Sequence, residues 1–288
     1  MTVEPDVAVE ATNAHYELPV EVFAAFLDSS MKYSSGLYVE PNATLEQAQR
    51  AKLDWVLDDC LRVSSGARLL DIGCGWGSLT LAAAAKGIDV VAVSPSAPQC
   101  EYVLRRAGEL GVADRVEVRQ GRFTALDLTG EKFDAVTMLG SIVHMPDRED
   151  VLVAVSGLLR PRGRLYLSES CFRNQRIFAE YRTSPGFRYV GEDIFGYGEM
   201  VPLAELVAAA ESASLSIVNV SDLTGHYVQT LADWTSAVER NRDGIDTAVA
   251  GTADRFLRYF EIGATAFGYT AKHYALVAEK SRLGTWEV

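Results

Sequence analysis

The sequence predicts an α/β protein with a mostly parallel, seven-stranded sheet that has helices on both faces. From Ala67 onward, apolar runs of strand length alternate with segments of helical periodicity, which is typical of a parallel sheet. The first of these runs ends in a glycine-rich turn that leads into a helical pattern, as in nucleotide-type binding folds. Strands are expected at 67–72, 88–94, 115–119, 133–139, 164–169, 215–221 and 274–279, and helices at 77–86, 96–110, 147–159, 203–213 and about 229–262.

The segments that flank this pattern are expected to add helices and turns around it. Residues 1–12 are predicted to be loosely ordered, and a helical face is predicted over 13–27. Thr44-Leu45-Glu46-Gln47 has the pattern of a capping box and predicts a helix that ends near Leu61. Arg160-Pro161-Arg162-Gly163 is expected to stop a helix and form a tight turn.

Composition and charge favour a globular protein with a small-molecule partner. Of the 288 residues, 27 are basic and 39 acidic, and the net charge of −12 argues against nucleic acid and against stable association with a membrane. The cysteines are scattered without a C-x-x-C spacing, which argues against a zinc site and fits a reducing compartment. The acidic first residues lack the pattern of a signal peptide, so a cytoplasmic location is expected.

The glycine turn carries the strongest functional signal. Asp71 ends an apolar run, and Gly73, Gly75 and Gly77 follow in the spacing G-x-G-x-G. A dinucleotide site would normally show G-x-G-x-x-G and an acid at the end of the second strand, where Ser94 stands instead. We therefore interpret the turn as a site for S-adenosylmethionine (SAM), with the turn at the amino-acid end and Asp71 near the α-ammonium.

The residues 71–77 resemble the central motif of SAM-dependent methyltransferases with a Rossmann-like fold. The segments 15–19, 31–34 and 44–49 resemble the N-terminal region of the cyclopropane-fatty-acid synthase family, and the likeness returns more weakly at 226–234 and 258–260. By this resemblance, a set of residues is expected to contact SAM at its amino-acid end, its ribose or its adenine. They are Tyr33, Ser34, Asp71, Gly73, Gly75, Gly77, Ser94, Gln99, Arg122, Phe123 and Leu139.

The chain also departs from that family at the residues that hold a bicarbonate base. Where the family has a cysteine and a glutamate, this sequence has Ser35 and Gly140. The resemblance therefore implies the scaffold of the synthases without their cyclopropanation of lipids. The stretch 141–148 is instead similar to the segment after the fourth strand in methyltransferases of sugars, alkaloids, quinones and other metabolites.

His144 is the leading catalytic candidate, because it follows the predicted strand 133–139 where the methyl group is expected. A neutral imidazole can accept a proton near pH 7. The matching histidine of plant alkaloid N-methyltransferases is thought to do so, and a purely structural role is the alternative. Tyr259 is a second catalytic candidate by its family position. Aromatic faces can stabilise the sulfonium, and the candidates for the substrate pocket are Tyr16, Tyr38, Tyr197 and Tyr227.

These interpretations divide the chain into four parts and lead to three functional hypotheses. The parts are an N-terminal helical lid segment 1–63, a SAM-binding Rossmann-like core 64–170, an acceptor-side insertion 171–213 and C-terminal strands with inserted helices 214–288. The leading hypothesis is SAM-dependent methylation of N or O on a small specialised metabolite, of the kind made in natural-product or antibiotic biosynthesis. The alternatives are methylation of an isoprenoid or aromatic carbon, and a SAM-binding relative that does not methylate. No metal is expected, and a homodimer is allowed.

Overall fold

A computed structural model describes residues 4–281 and confirms the predicted fold class. Seven strands form one sheet in the order β3-β2-β1-β4-β5-β7-β6. Strands β1 to β5 pair in parallel, whereas β7 is antiparallel to both β5 and β6. The strands are β1 Arg68–Ile72, β2 Asp89–Ser94, β3 Val116–Gln120, β4 Phe133–Leu139, β5 Leu159–Phe172, β6 Leu215–Asp222 and β7 Ala271–Lys280.

Helices cover both faces of the sheet and its carboxyl edge. In the described chain they are α1 Pro5–Tyr16, α2 Val20–Ala24, α3 Leu45–Asp54, α4 Ser78–Ala85, α5 Ala97–Glu109, α6 Arg148–Leu158, α7 Gln175–Tyr181, α8 Pro185–Arg188, α9 Leu203–Ser212, α10 Thr224–Arg240, α11 Arg242–Ala248 and α12 Thr252–Tyr269. Helix α3 begins at the predicted capping box: the amide of Gln47 donates to Thr44 Oγ1 at 3.3 Å, and the amide of Thr44 donates to Gln47 Oε1 at 2.9 Å. It continues as a π-helical segment over Trp55–Leu61.

The N-terminal region differs from the prediction. Residues 5–12, expected to be loosely ordered, belong to α1, and the helical face predicted over 13–27 is divided between α1 and α2. Pro19 separates the two helices in an extended conformation, which ends the helical path of the chain. Ala8 is fully buried, so packing against the rest of the protein supports a helix whose own periodicity is weak.

Two further segments depart from the predicted boundaries for local backbone reasons. The stretch 229–262 forms parts of α10, α11 and α12 instead of one helix, because Asn241 ends α10 and Gly251 adopts a left-handed conformation before α12. The turn expected at 160–163 lies inside β5 as an irregularity, since Phe133 pairs with Leu159 and Ala135 pairs with Arg164. Arg162 accordingly has a positive φ of 67°.

An aromatic cluster lies outside the sheet and closes the space above its carboxyl edge. Helices α2, α10, α11 and α12 supply most of its buried side chains, among them Phe23, Trp234, Phe256 and Phe260, and Phe26 follows α2. Aromatic rings bury a large apolar area per residue and pack edge to face, and the ring centroids of Phe26 and Phe256 are 5.0 Å apart. This cluster holds the added helices over the strand ends, where α/β proteins bind ligands.

Candidate functional site

The glycine turn lies at the carboxyl end of β1, between the ends of β2 and β4. The amides of Gly73 and Cys74 both donate to the carbonyl of Val93, at 2.8 and 3.0 Å. Gly73 has a φ of +73°, and a Cβ added there would lie 2.4 Å from the Cβ of Ser141. Ser141 Oγ in turn donates to the carbonyl of Ile72 at 2.8 Å. The close approach of two strand ends therefore requires glycine at this position.

Gly75 and Gly77 serve different local purposes. A Cβ at Gly75, whose φ is +54°, would meet nothing within 4 Å, so this part of the turn borders open space that a ligand can enter. Gly77 precedes α4 with a φ of +79°, and its Cβ would lie 2.6 Å from Val103 Cγ2. Unlike Gly75, Gly77 does not line the cavity beside the turn, so its role is to let α4 pack on α5.

Asp71 is buried beside the turn and is held by two hydroxyl groups. Thr80 Oγ1 donates to one carboxylate oxygen at 2.8 Å, and Thr137 Oγ1 donates to the other at 2.9 Å. Burial raises the pKa of Asp71 to about 6, and these hydrogen bonds oppose the rise. The carboxylate is thus fixed in orientation and lines the cavity, as a partner for an ammonium group requires.

A cofactor cavity, defined by the residues that surround the turn, contains most of the predicted SAM contacts. Its walls include Tyr33, Ser34, Asp71, Gly73, Gly75, Ser94, Gln99, Arg122, Phe123 and Leu139. Asn13 Oδ1 and Ser96 Oγ also line it, and both atoms are buried without a hydrogen-bond partner. Buried polar atoms are normally paired, so these two atoms fit a polar ligand such as SAM. Sequence analysis missed them.

Arg122, in the wall of the cofactor cavity, forms ion pairs with two carboxylates. Arg122 Nε lies 2.9 Å from Asp6 of α1, and its Nη1 lies 3.4 Å from Asp147. Ser94 Oγ donates to Gln99 Oε1 at 2.8 Å, which leaves the amide hydrogens of Gln99 available to a ligand. Helix α1 thus forms one wall of the cavity, with Tyr16 at its inner end.

A second cavity, the acceptor cavity, adjoins the first and has a volume of about 470 Å³. Five residues line both cavities: Tyr16, Tyr33, Ser34, Gly140 and His144. The rest of its lining is mainly apolar and aromatic, and includes Phe187, Phe195, Tyr227, Tyr259 and Phe267. A molecule in the acceptor cavity would therefore meet a ligand of the cofactor cavity at these shared residues.

His144 lies at this junction in one defined tautomer. Its Nδ1 is 2.7 Å from the carbonyl oxygen of Tyr197, and because a carbonyl can only accept, Nδ1 carries the hydrogen. Nε2 then has the lone pair and accepts from the hydroxyl of Tyr16 at 3.4 Å. Burial lowers the pKa of His144 to about 4, so the imidazole is neutral at pH 7.

The structure brings some of the predicted pocket tyrosines to the acceptor cavity and excludes others. Tyr16, Tyr227 and Tyr259 line it. Tyr38 does not, because its hydroxyl donates to Asp233 at 2.7 Å on α10. Tyr197 does not line it either, and contributes only its backbone carbonyl to orient His144. The predictions for Tyr38 and Tyr197 as pocket residues are therefore wrong.

Glu169 is a functional candidate that sequence analysis missed. It lies near the carboxyl end of β5, is 6% exposed and lines the acceptor cavity. Backbone amides donate to both carboxylate oxygens, from Ser170 at 2.9 Å and from Val143 at 3.3 Å. Burial raises the pKa of Glu169 to about 7. The signal was present in the polar run Ser168-Glu169-Ser170, which interrupts a buried core strand at the edge where ligands bind.

Neither a metal cluster nor a spanning helix occurs in the part of the chain that the structure describes. Between residues 4 and 281, no three His, Cys, Asp or Glu side chains are grouped so that they could hold a metal ion. Within the same residues, every helix is too short or too polar to cross a membrane.

The sheet order, the glycine turn and the adjoining cavities define a Rossmann-like fold of the SAM-dependent methyltransferase class. The sequence model of the mycolic acid cyclopropane synthetase family matches residues 4–275, and the chain belongs to this family. This result confirms the predicted resemblance and the predicted enzyme class.

Three similar proteins place the chain within this family and fold. A probable fatty acid methyltransferase of Mycobacterium tuberculosis is 28% identical over 262 residues, which are 90% of this chain and 59% of that protein. Cyclopropane mycolic acid synthase 2 of Mycobacterium bovis is 30% identical over 82% of each chain. The crystal structure of a mycolic acid cyclopropane synthase complexed with SAH and CTAB has a TM-score of 0.86 at 23% identity, and covers 94% of this chain and 98% of that chain.

Proposed function

We propose that this protein transfers the methyl group of SAM to an unsaturated carbon of an apolar, lipid-like acceptor. The observation that carries the proposal is the junction of the two cavities at Tyr16, Tyr33, Ser34, Gly140 and His144. The aromatic lining of the acceptor cavity suits a hydrocarbon chain. The names of the two relatives, a fatty acid methyltransferase and a cyclopropane mycolic acid synthase, support a lipid acceptor.

This proposal replaces the small-metabolite acceptor that the sequence suggested. That expectation relied on Ser35 and Gly140, which stand where the family has its bicarbonate ligands, and on the segment 141–148. The lipid acceptors named for the relatives favour carbon instead of N or O. A carbon acceptor needs a base near the cation, and Gly140 supplies none where the family has a glutamate. Glu169 supplies a carboxyl group in the acceptor cavity instead.

The residues of the site would act mainly by positioning. SAM, when bound, supplies an electrophilic methyl group on a sulfonium. Asp71 and Ser34 would hold its amino-acid end, and Gln99 its ribose. The rings of Tyr16, Tyr33 and Tyr259 lie around the junction or in the acceptor cavity, where aromatic faces favour positive charge. Alignment of two reactants within such walls supplies a large part of the rate enhancement, about 7–11 kcal/mol in favourable cases.

The proposal is tested by measuring formation of S-adenosylhomocysteine (SAH) with defined acceptors. We expect SAH with monounsaturated fatty acids or phospholipids that contain them, and none with saturated lipids of the same chain length. SAH formed only with amines or phenols would return the acceptor to a heteroatom of a small molecule. A thermal shift with SAM but no SAH with any acceptor would favour the non-methylating alternative.

His144→Gln separates a positioning role of His144 from a role as general base. Because its pKa is about 4, the imidazole stays neutral through the physiological range and is a weak proton acceptor. We expect kcat to fall by about tenfold, less than the 10²–10⁴-fold typical of a lost general base, with SAM affinity nearly unchanged. Tyr16→Phe is the matched variant, since it removes the hydroxyl that His144 orients. A loss of kcat beyond about a thousandfold in His144→Gln would make His144 the base.

A further inference from the structure

Glu169 is a buried carboxyl group without a cationic partner. Among the ion pairs of residues 4–281, none includes Glu169, and only desolvation and two backbone hydrogen bonds determine its pKa. A buried carboxylate is normally paired with a cation or coordinates a metal. The acceptor cavity beside Glu169 is where a positively charged group could approach it.

The hydrogen bonds of Glu169 leave capacity on the cavity side. Each carboxylate oxygen offers about two acceptor positions, and the amides of Ser170 and Val143 occupy one on each oxygen. These two amides also fix the carboxyl group relative to β5 and to the segment after β4. The acceptor positions that these amides leave unoccupied belong to a carboxyl group that lines the acceptor cavity.

The groups that face Glu169 come from several elements. Burial, and to a smaller extent the charge of Glu169, raises the pKa of Tyr16 on α1, of Tyr227 on α10 and of Tyr259 on α12, and also that of Cys171 on β5. These groups are all neutral near pH 7. His273 Nδ1 on β7 is hydrogen-bonded to Ser170 Oγ at 3.2 Å. Burial lowers the pKa of His273 well below the usual range, so this side chain is neutral too. When Glu169 is ionised, its negative charge is therefore not balanced by a positive charge on any of these neighbours.

We propose that Glu169 is a catalytic residue that stabilises the carbocation formed on the acceptor and takes its proton. This inference rests on the proposed function. The π electrons of the acceptor form the new C–C bond to the methyl carbon, while the electron pair of the C–S bond stays on sulfur and SAH is released. The neighbouring acceptor carbon is then cationic. A C–H bond beside the cation gives its proton to Glu169, and the electron pair closes a ring or a double bond. Water removes the proton from Glu169.

Glu169 is better suited to this step than His144. A general base is most effective when its pKa lies near the working pH. The pKa is about 7 for Glu169 and about 4 for His144. A cation beside Glu169 also favours the ionised carboxylate, so the charge that develops on the acceptor prepares the base that it needs.

A binding experiment tests the charge of the cavity without turnover. The charged probe is dodecyltrimethylammonium below its critical micelle concentration, which carries a fixed positive charge at the end of an apolar chain. The neutral probe has the same chain with a tert-butyl group in place of the trimethylammonium group. By titration calorimetry we expect Glu169→Gln to weaken binding of the ammonium compound by about tenfold or more, which corresponds to one buried charge interaction, and to leave binding of the neutral compound unchanged. Glu211→Gln, at an exposed position of α9, is the matched control. Equal affinity of wild type and Glu169→Gln for the ammonium compound would overturn the proposal.

A kinetic experiment tests the proton transfer. With an unsaturated lipid, we expect Glu169→Gln to lower kcat by about 10²–10⁴-fold while SAM affinity stays near that of wild type. Glu169→Asp keeps a carboxyl group and should recover part of the activity. If the wild type forms SAH but Glu169→Gln is as active as Glu211→Gln, the role of Glu169 fails while the proposed function stands. If the wild type forms no SAH with any unsaturated lipid, the proposed function itself fails.

Discussion

Gly73→Ala is expected to abolish SAM binding and to destabilise the fold by about 3 kcal/mol, through left-handed backbone strain and overpacking. The added methyl group would lie 2.4 Å from the Cβ of Ser141, and this contact cannot be relieved by rotation of a flexible side chain. Ser141 is itself fixed by its hydrogen bond to the carbonyl of Ile72. The ends of β1 and β4 would have to separate, and the wall of the cofactor cavity would move with them. Calorimetric titration with SAH and urea unfolding measure the two effects.

Gly66→Ala is the matched control for this variant. Gly66 also has a left-handed φ, +82°, but a Cβ there meets nothing within 4 Å, and the residue lines neither cavity. The Gly66→Ala variant should be less stable than the wild type only by the roughly 1–2 kcal/mol that a left-handed backbone costs a non-glycine residue. It should bind SAH as the wild type does. A Gly73→Ala protein with normal SAH affinity and the stability of Gly66→Ala would show that the contact with Ser141 has little importance.

The contrast between Gly73 and Glu169 explains how much of the site could be predicted. The turn is local: an acid and three glycines lie within the seven residues 71–77, where β1 leads into α4, so the spacing and its immediate flanks indicate the ligand. Glu169 becomes a site residue only because β5 pairs with β4 and because α1, α10 and α12 close over its end. Apart from the polar run 168–170, the local sequence near Glu169 gives no indication of those long-range contacts.

For the fold as well, the features set by local sequence patterns could be predicted, and those set by long-range contacts could not. The alternation of strands and helices gave the seven strands, and β4 has the predicted bounds. The pattern did not show that α1 is helical, because its order depends on tertiary packing such as the burial of Ala8. Tyr38 and Tyr197 were pocket candidates because aromatic faces can stabilise the sulfonium. The sequence could not show their direction, since the direction of a loop side chain depends on partners that are distant in sequence.

Lys52→Met is expected to stabilise the protein by several kcal/mol near pH 7. Lys52 lies on α3, is 1% exposed and has the rings of Trp55 and Tyr166 within 6 Å of its ammonium, at 5.7 and 5.8 Å. It forms no ion pair within the described residues, and burial lowers its pKa from 10.5 to about 7. Met has a similar length and fills such a site without a charge.

The pH dependence of this stabilisation follows from the direction of the pKa shift. Because the folded pKa of Lys52 lies below the unfolded value, the unfolded chain binds the proton more strongly, and protonation favours unfolding. Lys52 therefore does not destabilise the folded protein above pH 10.5. Its destabilising effect grows as the pH falls toward about 7 and is constant below that pH. Each unit of difference between the folded and unfolded pKa values corresponds to about 1.4 kcal/mol of stability. The advantage of Lys52→Met should therefore disappear as the pH rises toward 10.5.

Urea unfolding at several pH values measures this difference, with Lys86→Met as the control. Lys86 is a surface residue paired with Asp54 and Asp58, at 2.9 and 2.6 Å, so its replacement should change stability by less than about 1 kcal/mol. A stability gain of Lys52→Met that is equal at pH 7 and pH 10 would contradict the assignment of the effect to a buried charge.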